Sequence, residues 1–110
     1  MIKKKKIKLP IYNQFTVTMF LTDDVIGYYN KVTKRDDKGE CIGIQFAKGS
    51  NIFIGVELRA TIGTIAHECF HATAYIMDVI GCELKEESEE PYAYLLGYLV
   101  DEFVKFKKQP

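Results

Sequence analysis

The chain has 110 residues, of which 47% are hydrophobic, and its fifteen basic residues balance fifteen acidic ones. This length and apolar content predict one compact domain with a single core. The balanced charge makes nucleic acid an unexpected partner. No apolar run approaches the roughly 20 residues of a membrane span, and no signal peptide follows the basic start. Three cysteines without framework spacing fit a reducing compartment, so we expect a cytoplasmic protein.

Lysines crowd the first ten residues, at positions 3–6 and 8. A run of like charge favours a solvated, frayed terminus. We therefore expect residues 1–10 to be a basic tail and residues 11–110 to form the single folded domain. Contact of the lysines with nucleic acid or an acidic partner is the alternative.

The next segments predict a small sheet. Apolar and polar residues alternate over 14–21, as in a strand with one buried face. Residues 22–24 (TDD) can cap a short helix that ends near Lys31. Two further strands form a hairpin around a turn at 48–51. The hairpin residues expected to face one core are Ile42, Ile44, Phe46, Ile52, Ile54, Val56 and Leu58.

A long helix is predicted from Arg59 to Ile80, with apolar residues on most of its circumference. Residues of this segment that can be core are Ile62, Ile65, Ala66, Cys69, Phe70, Ala72, Ile76, Met77 and Ile80. Its polar residues recur at three- and four-residue steps and form one stripe: Thr64, His67, Glu68, His71, Tyr75 and Asp78. A polar stripe on a nearly buried helix needs something polar to face.

Residues 67–71 of this helix read HECFH and contain both histidines of the chain. A spacing of four places the two imidazoles on one helix face, within about 6 Å of each other. At that distance His67 and His71 can share a tetrahedral Zn²⁺. Glu68 lies about 100° round the helix, where it can act as general base toward a metal-bound water. The alternative is a pair of core histidines that are hydrogen-bonded to their neighbours.

Zinc bound by two histidines needs a third protein ligand. Residues 86–90 (EESEE) open a second predicted helix, which continues over 91–107. Glu89 and Glu90 are the acids of this run that regular structure would hold best. Each of them can equally be a solvated residue that the helix dipole favours. Cys82, in the turn between the helices, is also a candidate.

Residues 67–72 (HECFHA), followed by residues 90–95 (EPYAYL), resemble small HExxH proteins of bacteriophages and prophages. More distantly, they are similar to the gluzincin metallopeptidases. The resemblance covers the C-terminal half of the chain, and the first half is similar only in its order of elements. It implies a minimal zincin-like fold, a zinc cofactor and Glu90 as third ligand. Where many gluzincins have an acidic residue one turn later, this chain has Tyr94.

The order of elements predicts an α+β fold, in which a mostly antiparallel sheet of about three strands packs against the HExxH helix and a C-terminal helix. The resemblance implies that an edge strand borders the metal, so that an extended peptide can add to it. The strand over 52–58 is one candidate for that edge. Gly55 within it could permit close approach of a substrate backbone, although packing could also require the glycine.

We therefore expect a zinc-dependent peptidase that hydrolyses an amide bond of a peptide or protein substrate. Glu68 would take a proton from the zinc-bound water and pass it to the leaving amine. Three tyrosines are open candidates for stabilising the transition state: Tyr75, Tyr92 and Tyr94.

Two other functions stay open. In the first, zinc holds the two helices of a non-catalytic binding domain together, and Cys82 or another residue fills the fourth position. Glu68 argues against it, because a structural site needs no base. In the second, no metal is bound and the chain is an interaction protein. Its lysine-rich start and the tyrosines of the last helix would then contact partners.

Overall fold

A computed structural model describes residues 2–110, which form a four-stranded mixed sheet and three α-helices. The strands are β1 (Ile2–Lys8), β2 (Thr16–Thr22), β3 (Gly43–Lys48) and β4 (Asn51–Glu57). The helices are α1 (Val25–Thr33), α2 (Ile62–Val79) and α3 (Glu89–Lys108), and a 3-10 turn (Glu86–Ser88) precedes α3. The expected α+β class is confirmed, but the sheet has four strands rather than about three.

The strands lie in the order β1-β2-β4-β3. The two outer pairings are antiparallel, whereas β2 and β4 are parallel. After β2 the chain forms α1 and β3, and β4 then lies between β2 and β3. Both edges of β4 are therefore occupied, and the expectation that the strand over 52–58 could be a free edge is wrong. The edges are β1 and β3.

The lysine-rich start is a strand and not a tail, so this part of the sequence prediction is wrong for Ile2–Lys8. β1 pairs with β2 over its whole length, from Ile2 opposite Thr22 to Lys8 opposite Thr16. Lysines suit an edge strand because their charge discourages pairing with another chain. The Lys3 Nζ lies 5.0 Å from the Phe106 ring centroid. It donates to the carbonyls of Phe106 and Gln109 at the C-terminal end of α3, where a cation is favourable.

The sheet carries a separate apolar cluster on each face. Val17, Met19, Ile52 and Ile54 belong to the main core, which also includes residues of α2 and α3. On the opposite face, α1 covers an aromatic cluster. In that cluster the Phe20 and Tyr28 ring centroids are 4.4 Å apart, and the rings of Phe46 and Phe53 stack at 4.6 Å.

The register of the β3–β4 hairpin puts Phe46 opposite Phe53. Ile44 and Phe46 consequently face the α1 side, and the expectation that they share a core with Ile52 and Ile54 is wrong. Gly55 is explained by packing on this α1 face. A Cβ there would lie 2.0 Å from Cζ of Phe20, so the glycine makes room for a buried ring rather than for a substrate.

α2 buries one face only. Its N-cap is Thr61, whose side chain accepts a hydrogen bond from the Thr64 N–H and satisfies one of the first-turn donors. Ile65, Cys69, Ala72, Ile76 and Met77 are buried as expected. Ile62 and Phe70 are 64% and 43% exposed, so their expected place in the core is wrong. The reason is that the sheet and α3 together cover one side of α2 and leave the side with Ile62 and Phe70 open.

α2 and α3 form an antiparallel hairpin. The Lys107 Nζ, near the end of α3, donates to the Ala60 carbonyl just before α2, at 2.7 Å. The Tyr92 hydroxyl, near the start of α3, donates to the Cys82 carbonyl at 3.3 Å. The acidic start of α3 therefore lies beside the C-terminal end of α2. Within residues 2–110, none of the helices has the length and apolar character needed to cross a membrane.

Candidate metal-binding site

His67 and His71 lie on the open side of α2 with their rings together. Their Nε2 atoms are 3.1 Å apart, and the ring centroids are 4.7 Å apart. Two nitrogens that bind one tetrahedral zinc ion at 2.0–2.1 Å are separated by about 3.3 Å. The observed pair is thus spaced to share a metal. The same distance also suits an N–H···N hydrogen bond between two neutral imidazoles.

Glu68 is buried, with 8% of its surface exposed, and its Oε2 lies 4.0 Å from Nε2 of His67. Burial raises the pKa of this carboxyl, and the charges of the two imidazoles oppose that shift. A buried carboxyl whose pKa is raised, beside two exposed imidazoles, is suited to take up and release a proton. The structure thus brings together three of the four predicted site residues.

Gly43, at the start of the edge strand β3, makes the space in which Glu68 lies. A Cβ at Gly43 would be 2.9 Å from Cγ and 3.1 Å from Oε2 of Glu68. Cys41 is close enough to Glu68 that its charge, together with the larger effect of burial, raises the pKa of the thiol. Sequence reasoning missed both residues. A glycine at the start of a predicted strand was the available signal, since such a residue can mark close approach.

Glu90 lies elsewhere. It is exposed in the first turn of α3 and lines a cavity to which α2 contributes no residue. Within the part of the chain that the structure describes, no group of three metal-ligating side chains includes Glu90 and the two histidines.

The other candidates for a third ligand are not beside the histidines either. Glu89 is the first residue of α3, and the Cys82 N–H bonds to the Met77 carbonyl at the far end of α2. Among the residues that the structure describes, no three His, Cys, Asp or Glu side chains gather to hold a metal ion. The two imidazoles fit zinc, and the third ligand is not supplied by this arrangement of the chain.

The three tyrosines considered for the transition state also separate. Tyr75 is on α2, one turn after His71, and is 38% exposed. Tyr92 donates to a carbonyl of the interhelical turn, and Tyr94 lines the same cavity as Glu90. Tyr75 is the one that shares a helix with the candidate site.

Comparison of the chain with protein-family models, with curated proteins and with solved structures finds no match. The fold and site define an α+β protein with an exposed histidine pair next to a buried glutamate. Membership of the HExxH peptidases stays a prediction from the sequence.

Proposed function

We propose that this protein is a zinc-dependent peptidase whose centre is formed by His67, Glu68 and His71. The observation that supports it best is the 3.1 Å separation of the two Nε2 atoms beside a buried carboxyl with a raised pKa. A metal site that activates water requires a general base close to the metal ligands. Two histidines that only face solvent do not require a buried acid beside them.

Each of the three residues has a distinct role in this proposal. His67 and His71 would hold the ion through Nε2. A bound zinc ion supplies a polarised substrate carbonyl and a water whose pKa is near neutrality. Glu68 would accept a proton from the attacking water and pass it to the leaving amine. Burial raises the pKa of this carboxyl, which favours the protonated form that donates to the leaving group.

The exposure of the pair favours catalysis over a structural role for the metal. The His67 side chain is 65% exposed, whereas structural zinc sites are closed by four protein ligands. Glu90, which the resemblance implies as third ligand, lines the cavity between α3 and the β1–β2 connection. The proposal therefore rests on His67, His71 and Glu68 alone.

The edge strand β3 is the place where a peptide substrate would dock. Its outer side has no partner strand within residues 2–110, and Gly43 brings its beginning against Glu68. An extended peptide can add to such an edge through backbone hydrogen bonds. Ile42, just before β3, and Phe70, next to His71 on α2, are 57% and 43% exposed and would offer apolar contact to such a peptide. We expect a preference for apolar residues near the cleaved bond.

A peptidase assay on an unstructured protein such as casein tests the proposal. We expect the zinc-loaded parent to release peptides, and Glu68→Gln to lower kcat by about 10²–10⁴-fold while it still binds zinc. Glu89→Gln is the matched control, because Glu89 is an exposed acid on another helix, and it should retain full activity. Equal rates for Glu68→Gln and the parent, or no cleavage by the zinc-bound parent, would contradict the proposal.

A metal-free interaction domain is the second candidate. It is favoured by the lack of a third ligand near the pair among residues 2–110 and by the exposed apolar side chains of Ile62, Phe70 and Val79 on α2. Zinc titration followed by the imidazole NMR signals separates the two candidates. Signals that do not move with added zinc would support the interaction domain.

A further inference from the structure

A second candidate site lies between the β1–β2 connection and the first half of α3. It is a cavity of about 310 Å³, a volume at the lower end of the range for small-molecule sites. The residues that line it are Leu9, Pro10, Ile11, Tyr12, Glu90, Pro91, Tyr94, Leu95 and Tyr98. None of them belongs to α2, so this cavity is separate from the histidine pair.

The cavity is built into the fold. Leu9 and Leu95 are 1% and 5% exposed and form its floor. The connection above them is fixed by backbone hydrogen bonds from the Leu9 N–H to the Phe15 carbonyl, at 3.3 Å, and from the Phe15 N–H to the Tyr12 carbonyl, at 3.0 Å. The backbone on this side of the cavity is therefore already in place for a ligand, which lowers the entropic cost of binding, whereas Ile11 and Tyr94 at the rim are 64% and 67% exposed.

Three of the lining residues are tyrosines: Tyr12, Tyr94 and Tyr98. Within residues 2–110 these rings make no ring-to-ring contact, and the lysines that lie over aromatic rings contact Phe106 and Tyr28 instead. Tyrosine side chains are neutral phenols at neutral pH, and burial raises the pKa of Tyr98 further. The faces of such rings carry partial negative charge and attract cations.

Glu90 is the one charged residue of the lining, and no lysine or arginine accompanies it. Among the residues that the structure describes, its carboxylate has no hydrogen bond or ion pair. Three more glutamates lie within four residues of it in the run over 86–90. The positive end of the α3 dipole, equivalent to about half a charge, is outweighed by these carboxylates. The glutamates therefore place negative charge beside the cavity, and the basic residues next to these segments in the sequence are Lys8 and Lys85.

We propose that this cavity binds a small organic cation of the alkylammonium class, with the tyrosine rings around the cationic head and Glu90 as its counter-ion. An anionic ligand would meet the carboxylate of Glu90. A purely apolar ligand would gain nothing from that carboxylate, which is exposed and stays hydrated. This inference is independent of the proposed peptidase activity.

Titration of the protein with choline and with its neutral isostere 3,3-dimethylbutan-1-ol tests the proposal, because the two compounds differ in shape very little and in charge by one unit. We expect choline to shift the NMR signals of Tyr12, Tyr94 and Tyr98 saturably. The isostere should bind at least about tenfold more weakly. Equal binding of the two compounds, or no saturable shift with choline, would overturn the proposal.

Single substitutions test whether choline binds in this cavity. We expect Glu90→Gln and Tyr94→Ala each to weaken choline binding by about tenfold. Glu89→Gln removes a neighbouring acid that does not line the cavity, and His67→Ala removes a residue of the other site; both should bind choline as the parent does. A loss in Glu89→Gln equal to that in Glu90→Gln would contradict the role of Glu90. Circular dichroism confirms that each variant is folded.

Discussion

At the scale of single residues, Gly43 and Glu68 occupy one small volume at the beginning of β3. The carboxylate side chain fills the space that any other residue at position 43 would take, as the 2.9 Å and 3.1 Å approaches of a Cβ indicate. Thr64 Cγ2 would also be only 3.0 Å from that Cβ. The position of the proposed general base therefore depends on a glycine from another element.

We expect Gly43→Ala to lower the free energy of unfolding by about 1–3 kcal/mol, as overpacking does, and to reduce peptidase activity because Glu68 must move. Gly97→Ala is the matched control. Gly97 lies within α3 with nothing near a Cβ, so alanine there should add about 0.5–1 kcal/mol of stability. Urea unfolding of the two variants and the parent measures both effects. A Gly43→Ala variant as stable as the parent would contradict this packing.

The spacing of His67 and His71 was predictable because both residues sit on one helix, whose geometry is fixed locally. The burial of Glu68 was not, since it depends on Gly43, 25 residues earlier in the chain. The assignment of Glu90 came from a resemblance, and its position depends on the length of the interhelical turn and on how α3 packs. Such tertiary relations are not encoded in the periodicity of one segment.

At the scale of elements, β1 couples the two ends of the chain. Lys3 belongs to the first strand, and its Nζ bonds to the carbonyls of Phe106 and Gln109 at the end of the last helix. The predicted tail becomes a strand because β2 offers a free edge, and the lysines of β1 can reach solvent or a helix C-terminus from there. A pattern of successive lysines has no apolar period, so it does not by itself predict a strand.

We expect Lys3→Met to destabilise the protein by about 0.5–1.5 kcal/mol, because methionine can keep the apolar contact with Phe106 but cannot donate to the two carbonyls. Lys5→Met is the control. Lys5 is on the same face of β1, opposite Met19, and makes no hydrogen bond or ion pair within residues 2–110. Thermal unfolding compares the variants. Equal stability of Lys3→Met and Lys5→Met would show that the contact with α3 contributes nothing.

Most of the elements followed from sequence patterns. β2, α1, α2, α3 and the β3–β4 hairpin lie close to where alternation, caps and helical periodicity placed them. The sequence did not predict which face of the sheet each hairpin residue occupies. The two-residue turn sets a register that puts Phe46 opposite Phe53. A shift of one residue in register exchanges the two faces of a strand. Because β3 and β4 carry apolar residues on both faces, the sequence does not show which face packs against the main core. The answer depends on α1, which covers the opposite face.

At the scale of the whole molecule, the two candidate sites lie in different regions of the fold. The histidine pair and Glu68 lie where α2 meets the edge strand β3. The tyrosine-lined cavity lies between α3 and the β1–β2 connection. Variants of one site should therefore leave the other unchanged, because effects of distant sites are usually additive.

Zinc titration by calorimetry, on protein without a histidine tag, tests most directly whether residues 67–71 bind zinc. We expect one equivalent to bind to the parent, to Glu68→Gln and to Glu90→Ala, and binding to be lost in His67→Ala and His71→Ala. A parent that is folded and takes up no zinc would contradict zinc binding by these residues, as would unchanged affinity in His67→Ala.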